Sequence, residues 1–299
     1  MFGPPLKPAL HDATVPHRVK LAVDPTMIRS LPVPEVLRAV ADVGFEHVEL
    51  SPRLDLLPPS RGRRASREGV ARIASSARET GVGIASLFVV YPWASPDEQQ
   101  RAAAVRYLAH ACEVAVELGC ERLNTELTGD PKRPLESEAA FWRSIEDVVP
   151  LLDRHGLTLA VEPHPYDFIE DGNQAVDLVR GVRSDRVRYL YCAPHTFTMG
   201  GDMSAMIEYS SDVLAHVHVA DTFRPQRTIV NPPGDWRIHQ HLDVGQGEVD
   251  WTEFFAALRR VGFDDVMTVT VFAWEDRAID SFRANLAAVK RHLAVAASA

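Results

Sequence analysis

Residues 156–164 read GLTLAVEPH: a glycine, five apolar or β-branched residues, then glutamate, proline and histidine. The glycine closes a helical pattern, because it takes the left-handed backbone conformation without a Cβ clash. The run behind it is short and mostly apolar, which suits a strand buried on both faces of a parallel sheet. Charged and imidazole groups arrive only where the run ends. The same unit recurs at Gly44-FEHVEL, Gly81-VGIASL, Gly119-CERLNT and Gly262-FDDVMT. With three further runs, the expected strands are 19–24, 46–51, 84–90, 121–126, 157–163, 187–193, 214–219 and 265–271. Helical patterns fill the gaps near 33–43, 66–80, 97–118, 136–155, 171–182, 202–212, 250–261 and 276–293. Ser95 is the expected cap of the third of these, with Pro96 in its first turn and Glu98 three residues on. Eight alternating strand–helix units imply an α/β fold with a single closed (β/α)8 barrel over 19–299. No GxGxxG follows a strand, so an open dinucleotide-binding sheet lacks its main support. The proline-rich stretch 1–18 is expected to form an N-terminal arm, and 220–248 is the longest connection.

Composition bounds the function. The 299 residues are 46% hydrophobic and 24% charged, values of a soluble globular chain. No apolar run approaches the roughly 18–20 residues needed to span a bilayer. The first twenty residues lack the apolar core of a signal peptide. Three cysteines without CxxC spacing argue against a disulfide framework, so a cytoplasmic location is expected. A net charge of −9 leaves no basic footprint for nucleic acid. The one basic run, RGRR at 61–64, reads as a solvated loop, with a phosphate contact as the sharper alternative. Neither nucleic acid nor a membrane is an expected partner.

Six of the twelve histidines fall between 164 and 241, four of them in the pairs HVH at 216–218 and HQH at 239–241. Imidazole and carboxylate are common ligands of zinc and manganese, so the clustering suggests a metal site. In a (β/α)8 barrel chemistry gathers at the C-terminal ends of the strands. Those ends carry Asp24, Glu49, Asn124, Glu126, Glu162, His164, Cys192, His195, His216 and His218. Period-two spacing sets Glu162 with His164, and His216 with His218, on one side of their strands.

The segments EPH at 162–164, CAPH at 192–195, HVHVAD at 216–221 and HQHLDVGQGEVDW at 239–251 resemble the xylose isomerase-like barrel superfamily over nearly the whole chain after residue 18. That superfamily includes sugar isomerases, ketose 3-epimerases, inosose-processing enzymes and endonuclease IV-type nucleases. Through YCAPHTF, NPPG, IHQH and VFAWED the chain is similar to the isomerase/epimerase-like proteins of inositol catabolism. It also resembles the large subunit of bacterial C-glycoside deglycosidases, which pairs with a small β-rich subunit. The resemblance implies a metal ligand at Glu162 and another at His218. The family's strand-six aspartate and strand-eight glutamate are here Cys192 and Thr270. The nuclease branch holds a second metal at positions matching His195, His239 and His241, with histidine in place of aspartate at His239.

The expected ion, Mn or Zn, is therefore shifted toward His195, His239 and His241, with Glu162 or His218 as fourth ligand and Glu275 in reserve. His164 is the expected base and Glu126 the alternative. Arg224, six residues beyond His218, is a candidate substrate contact, and Trp93 a candidate pocket wall. Metal-assisted enolisation of a keto-sugar gives an isomerase or epimerase. A leaving group β to the carbonyl gives instead a lyase acting on a 3-oxo-glycoside, with the small β-rich partner subunit. A nuclease and a noncatalytic sugar-binding subunit are the remaining alternatives. The expected partners are a sugar, inositol or glycoside substrate and further copies of the chain in an oligomer.

Overall fold

The structure, a computed structural model, describes residues 19–51, 56, 66–224 and 240–298. Eight strands alternate with helices: β1 Lys20–Val23, β2 His47–Leu50, β3 Gly83–Phe88 and β4 Arg122–Glu126, then β5 Thr158–Glu162, β6 Val187–Cys192, β7 Leu214–Val219 and β8 Val266–Val269. The helices are α1 Val33–Val43, α2 Arg67–Thr80, α3 Glu98–Leu118, α4 Pro134–His155 and α5 Gly172–Val182, followed by α6 Ala193–Thr198, α7 Met203–Ser210, α8 Trp251–Arg260 and α9 Ala278–Ser298. The strands pair in sequence order, all parallel, and close where β8 meets β1 from Lys20↔Val266 to Val23↔Val269. This is the expected single (β/α)8 barrel. Among the described residues no helix is long and apolar enough to cross a membrane. The arm at 1–18, the RGRR run and His239 lie outside the described residues.

The five glycines singled out from the sequence all have positive φ, from 68° at Gly262 to 98° at Gly44. Each turns the chain from a helix into the next strand. Strand alternation then divides the core. On β6, Tyr191 packs outward with its ring 6.0 Å from Phe254 of α8, while Leu190 and Cys192 cluster with Ala160 of β5. Burying an aliphatic or aromatic side chain of this kind stabilises the fold by about 1.5–3 kcal/mol.

Three local expectations change. Asp97, not Ser95, caps α3: its carboxylate accepts from Gln100 N at 2.9 Å, while Ser95 Oγ accepts from Asp97 N at 3.2 Å. The cap thus falls on the residue after Pro96, which has no N–H to give. The connection from β6 holds an additional short helix, α6, with Pro194 in its first turn. Trp93 is no pocket wall: it is fully buried, donates to Glu126 O at 2.8 Å and packs on Phe141.

The return of the chain after residue 239 is fixed by Asp221, a fully buried residue just beyond β7. Its carboxylate accepts from Thr222 N, Gly245 N, Val249 N and Trp251 Nε1 at 2.8–3.2 Å. Its backbone makes an antiparallel bridge to Leu242, with hydrogen bonds of 2.9 and 2.8 Å. Gly247 passes so close that a Cβ would lie 2.2 Å from Asp221 Oδ1 and 2.3 Å from Thr222 O. Replacing Asp221 by alanine strands three buried donors, on Thr222, Val249 and Trp251, and a partly buried one on Gly245; a buried donor left without an acceptor costs about 1–3 kcal/mol. Asp221→Ala is therefore expected to lose about 3 kcal/mol or more of unfolding free energy, read from a urea midpoint. Gly247→Ala is expected to lose about 2 kcal/mol through overpacking.

Candidate metal centre and acid–base pair

The C-terminal ends of the strands surround a cavity of about 70 Å³ lined by Asp24, Glu49, Phe88, Glu126, Glu162, His164, His195, His218, His241, Thr270 and Phe272. Its centre is His218. Nε2 lies 2.9 Å from Glu49 Oε1 and Nδ1 lies 3.1 Å from Glu162 Oε2. Burial works against the imidazolium, but the two carboxylates overcome it and hold His218 well above the usual histidine range. Glu49 is lowered to about 2: burial opposes its charge, but His218, His216 and a hydrogen bond from Ser86 outweigh it. Asn124 Nδ2 also donates to Glu49.

His216 sits deeper and behaves oppositely. It is fully buried, and burial pushes it well below the usual range despite Glu49. Asn124 Nδ2 donates to its Nδ1 at 3.2 Å, so Nε2 carries the proton toward Thr268 Oγ1 at 2.8 Å. The HVH pair therefore divides into a neutral packing residue and a charged residue at the mouth.

His195 and His241 reach the mouth from loops. His195 starts near the N-terminus of α6, its ring edge-on to His164 at 4.6 Å and to His241 at 5.4 Å. His241 is delivered by the Asp221–Leu242 bridge and stacks on Phe272 at 4.6 Å. Its Nδ1 lies 2.6 Å from Thr270 O, an acceptor, so Nδ1 carries the hydrogen and Nε2 the lone pair. Glu162 Oε1 lies 3.8 Å from His195 Nδ1. Donor atoms of Cys192, His195 and His241 lie within 4.8 Å of one another, and so do those of Glu162, Cys192 and His218. Ligands of one tetrahedral zinc stand roughly 3.3–3.8 Å apart, so modest side-chain movement suffices. All five residues are buried and their donors suit a divalent transition ion. The expected ligands Glu162, His195, His218 and His241 thus meet at one place, and Cys192 stands among them. Glu275 does not: its side chain is 64% exposed and 3.7 Å from Arg29.

A second group borders the first. His164 Nε2 lies 3.9 Å from Glu126 Oε1, and Asp167 completes a set within 4.8 Å. Burial, then the Glu162 charge, pushes Glu126 up to about 8. Burial, then Glu126, pushes Asp167 to about 8 as well. Glu126 and Glu162 are register partners on β4 and β5, so their repulsion is built into the sheet. His164 Nδ1 lies 2.7 Å from Pro165 O, which fixes the hydrogen there and leaves Nε2 as the basic nitrogen. Sequence reasoning missed Asp167, which a turn with Tyr166 at φ 75° brings back to β4. Arg224 is not brought into the cavity: it is exposed, and its backbone N–H donates to Glu248 Oε2 at 3.0 Å.

The model of the xylose isomerase-like TIM barrel family matches residues 37–289. The inosose isomerase of Bacillus velezensis is 26% identical over 139 residues, 46% of each chain, so this chain spans a little under half the length of the curated relatives it matches. Among solved structures, the IolI protein with a binding zinc atom has a TM-score of 0.76 at 17% identity, covering 92% of this chain and 98% of that one. D-psicose 3-epimerase in the presence of D-fructose has a TM-score of 0.75 at 15% identity, with 92% and 99% covered.

Glu126 and Asp167 would titrate near 4 in an unfolded chain. Raised pKa values mean that the folded, metal-free protein keeps protons the unfolded chain has released. Their contribution to stability is fully present below about pH 4 and is lost as the pH rises through 8. Asp167→Asn is expected to melt at or below the wild-type temperature at pH 4–5 and above it at pH 8–9. Thermal melts in chelator across that range check the crossover.

Proposed function

The chain belongs to the xylose isomerase-like TIM barrel family, and we propose that it is a divalent-metal-dependent enzyme that enolises a keto-sugar-type substrate as an isomerase or epimerase. The observation that carries this is the pairing of a basic His164 Nε2 with a protonated Glu126, 3.9 Å apart, beside the buried Glu162–His218 ligand group. Glu162, His195 and His241 would hold Zn or Mn, and His218 would join them on giving up the proton that its Nδ1 shares with Glu162. A bound ion would supply Lewis acidity that favours loss of a proton from the carbon beside a carbonyl. His164 then takes the proton from carbon, its ring held by the Pro165 carbonyl. Glu126 is protonated at neutral pH and serves as the matching acid. Phe88 and Phe272 supply the apolar part of the cavity wall.

The described residues lining the cavity include no lysine or arginine, which favours an unphosphorylated substrate. An inosose is the first compound to test, given the inosose isomerase relative. The relevant assay is exchange of the α-proton in deuterium oxide by the metal-loaded protein. His164→Ala is expected to lose about 10²–10⁴-fold in exchange rate. Unchanged exchange would remove His164 as base, and no exchange with any ketose or inosose would favour a noncatalytic sugar-binding role. Arg224→Ala is expected to leave the rate within about twofold, as for surface positions generally.

A second reading, lyase action on a 3-oxo-glycoside, is favoured by a groove of about 470 Å³ that shares His195 with the cavity. Among the described residues its lining is mixed: Pro163, Met199 and Met206 stand with the carboxylates Glu170, Asp171 and Asp202, and there is no lysine or arginine. That volume falls in the usual range for small-molecule sites, whereas 70 Å³ does not. Its size suits a group attached to the sugar, which the same enolate would expel. Aglycone release from a 3-oxo-glycoside, tested with and without a co-expressed small β-rich subunit, supports this reading. Enolisation of free ketoses without any release supports the first.

A further inference from the structure

Among the described residues three buried donor groups meet at the mouth; His218 joins two of them, and Cys192 links the Glu162–His218 group to the histidines from the loops. Its Sγ belongs with Glu162 and His218 on one side and with His195 and His241 on the other. Its direction is set by the strand: Cys192 is the register partner of His218 and shares the barrel interior with Ala160 and Leu190, while Tyr189 and Tyr191 alternate with it. A cation held by members of both groups meets the sulfur whichever pair of histidines it takes.

We propose that Cys192 is itself a metal ligand, as thiolate, so that the centre is a sulfur-containing zinc-type site rather than an oxygen-rich manganese-type one. This step rests on the metal centre of the preceding section and adds to it the identity of one donor and the class of ion.

Charge supports it first. Glu162 and a Cys192 thiolate together bring two negative charges, and neutral imidazoles of His195 and His241 add none. A dication is then balanced inside a mouth where all these residues are at most 7% exposed. With the Glu49–His218 ion pair neutral overall and Cys192 left as a thiol, the same centre keeps one uncompensated positive charge, which a buried site resists. The thiol proton leaves to solvent as the cation enters, and no oxidant or reductant is involved.

Replacement supports it second. Thr270 stands at the end of β8 and offers its backbone carbonyl to His241 Nδ1. It has become the orienting partner of a histidine ligand, a role usual for the groups behind a metal's imidazoles. The donor lost on β8 is thus supplied by His241 and that expected on β6 by sulfur. Thiolate and imidazole together select zinc, cobalt or cadmium over magnesium and manganese.

Cobalt reads the sulfur without any need for turnover. Titration of the metal-free protein with Co(II) is expected to give one bound equivalent and an intense near-ultraviolet sulfur-to-cobalt charge-transfer band. Cys192→Ser is expected to lose that band while keeping the visible cobalt bands of a nitrogen and oxygen site. The doubly substituted Cys112→Ser/Cys120→Ser protein is expected to keep it, since both thiols lie away from the mouth. Should Cys192→Ser fail to fold, cadmium NMR of this doubly substituted protein reads the same donor, because one sulfur shifts the cadmium resonance far downfield. Cys192→Asp is expected to move the zinc-to-manganese preference at least tenfold toward manganese. Cobalt bound without charge transfer would overturn the sulfur ligand and leave the metal centre standing. Failure to bind cobalt at all would overturn both.

Discussion

His218 between Glu49 and Glu162 is the interaction on which the rest of the mouth depends. The three residues come from β7, β2 and β5, so the contacts cross the interior of the barrel rather than following its hydrogen-bonded wall. Each member alone would be a charge buried at 4% exposure or less, an arrangement that costs several kcal/mol when uncompensated. Together they satisfy one another, and Ser86 and Asn124 occupy the remaining oxygen of Glu49. Glu49 is thereby committed to support and Glu162 keeps an oxygen facing His195. The difference between a scaffold carboxylate and a ligand carboxylate arises from the donors around each, not from residue type.

Charge at the mouth is distributed by the same logic. Register pairing of Glu126 with Glu162 places two carboxyls side by side on β4 and β5, and only one of them has an imidazolium beside it. Glu162 takes the His218 partnership and Glu126 is left to hold a proton. A short sequence difference, glutamate on each of two adjacent strands, thus yields one acid and one anion a few ångströms apart. Asp167, buried beside Glu126, is pushed up to about 8 in turn, so it too is left holding a proton.

The barrel was legible because its signals are local. Glycine after a helical run and then an apolar stretch could be read at five of the eight units, and all eight strands appear within a few residues of expectation. Glu162, His164, His195 and His218 followed from strand ends and were readable for that reason. Asp167 was not, because its place depends on a left-handed turn at Tyr166, a conformation that tyrosine gives no advance sign of adopting. Arg224 was singled out from spacing alone, and it is exposed and does not line the cavity. His241 was identified as histidine but its position depends on the bridge to Asp221, made across twenty residues of intervening chain. The split of HVH into a neutral and a charged member needed the positions of Asn124 and Thr268, which no periodicity encodes.

The histidine-rich loop and the cysteine on β6 are best understood as parts of one change. The sequence resemblance implies carboxylate ligands on β6 and β8, and Cys192 and Thr270 stand in those places. If the chain had merely lost its ion, Cys192, His195 and His241 would have no reason to converge within 4.8 Å. Nor would Thr270, Phe272 and Asp221 together fix the ring of His241 in plane and in tautomer. Such orientation of an imidazole costs conformational freedom, and it is the arrangement usual for groups that stand behind a metal's imidazole ligands. The loop beyond β7 therefore acts as a replacement strand end. It moves the donor set from oxygen toward nitrogen and sulfur while leaving His164 and Glu126 where a proton must be passed.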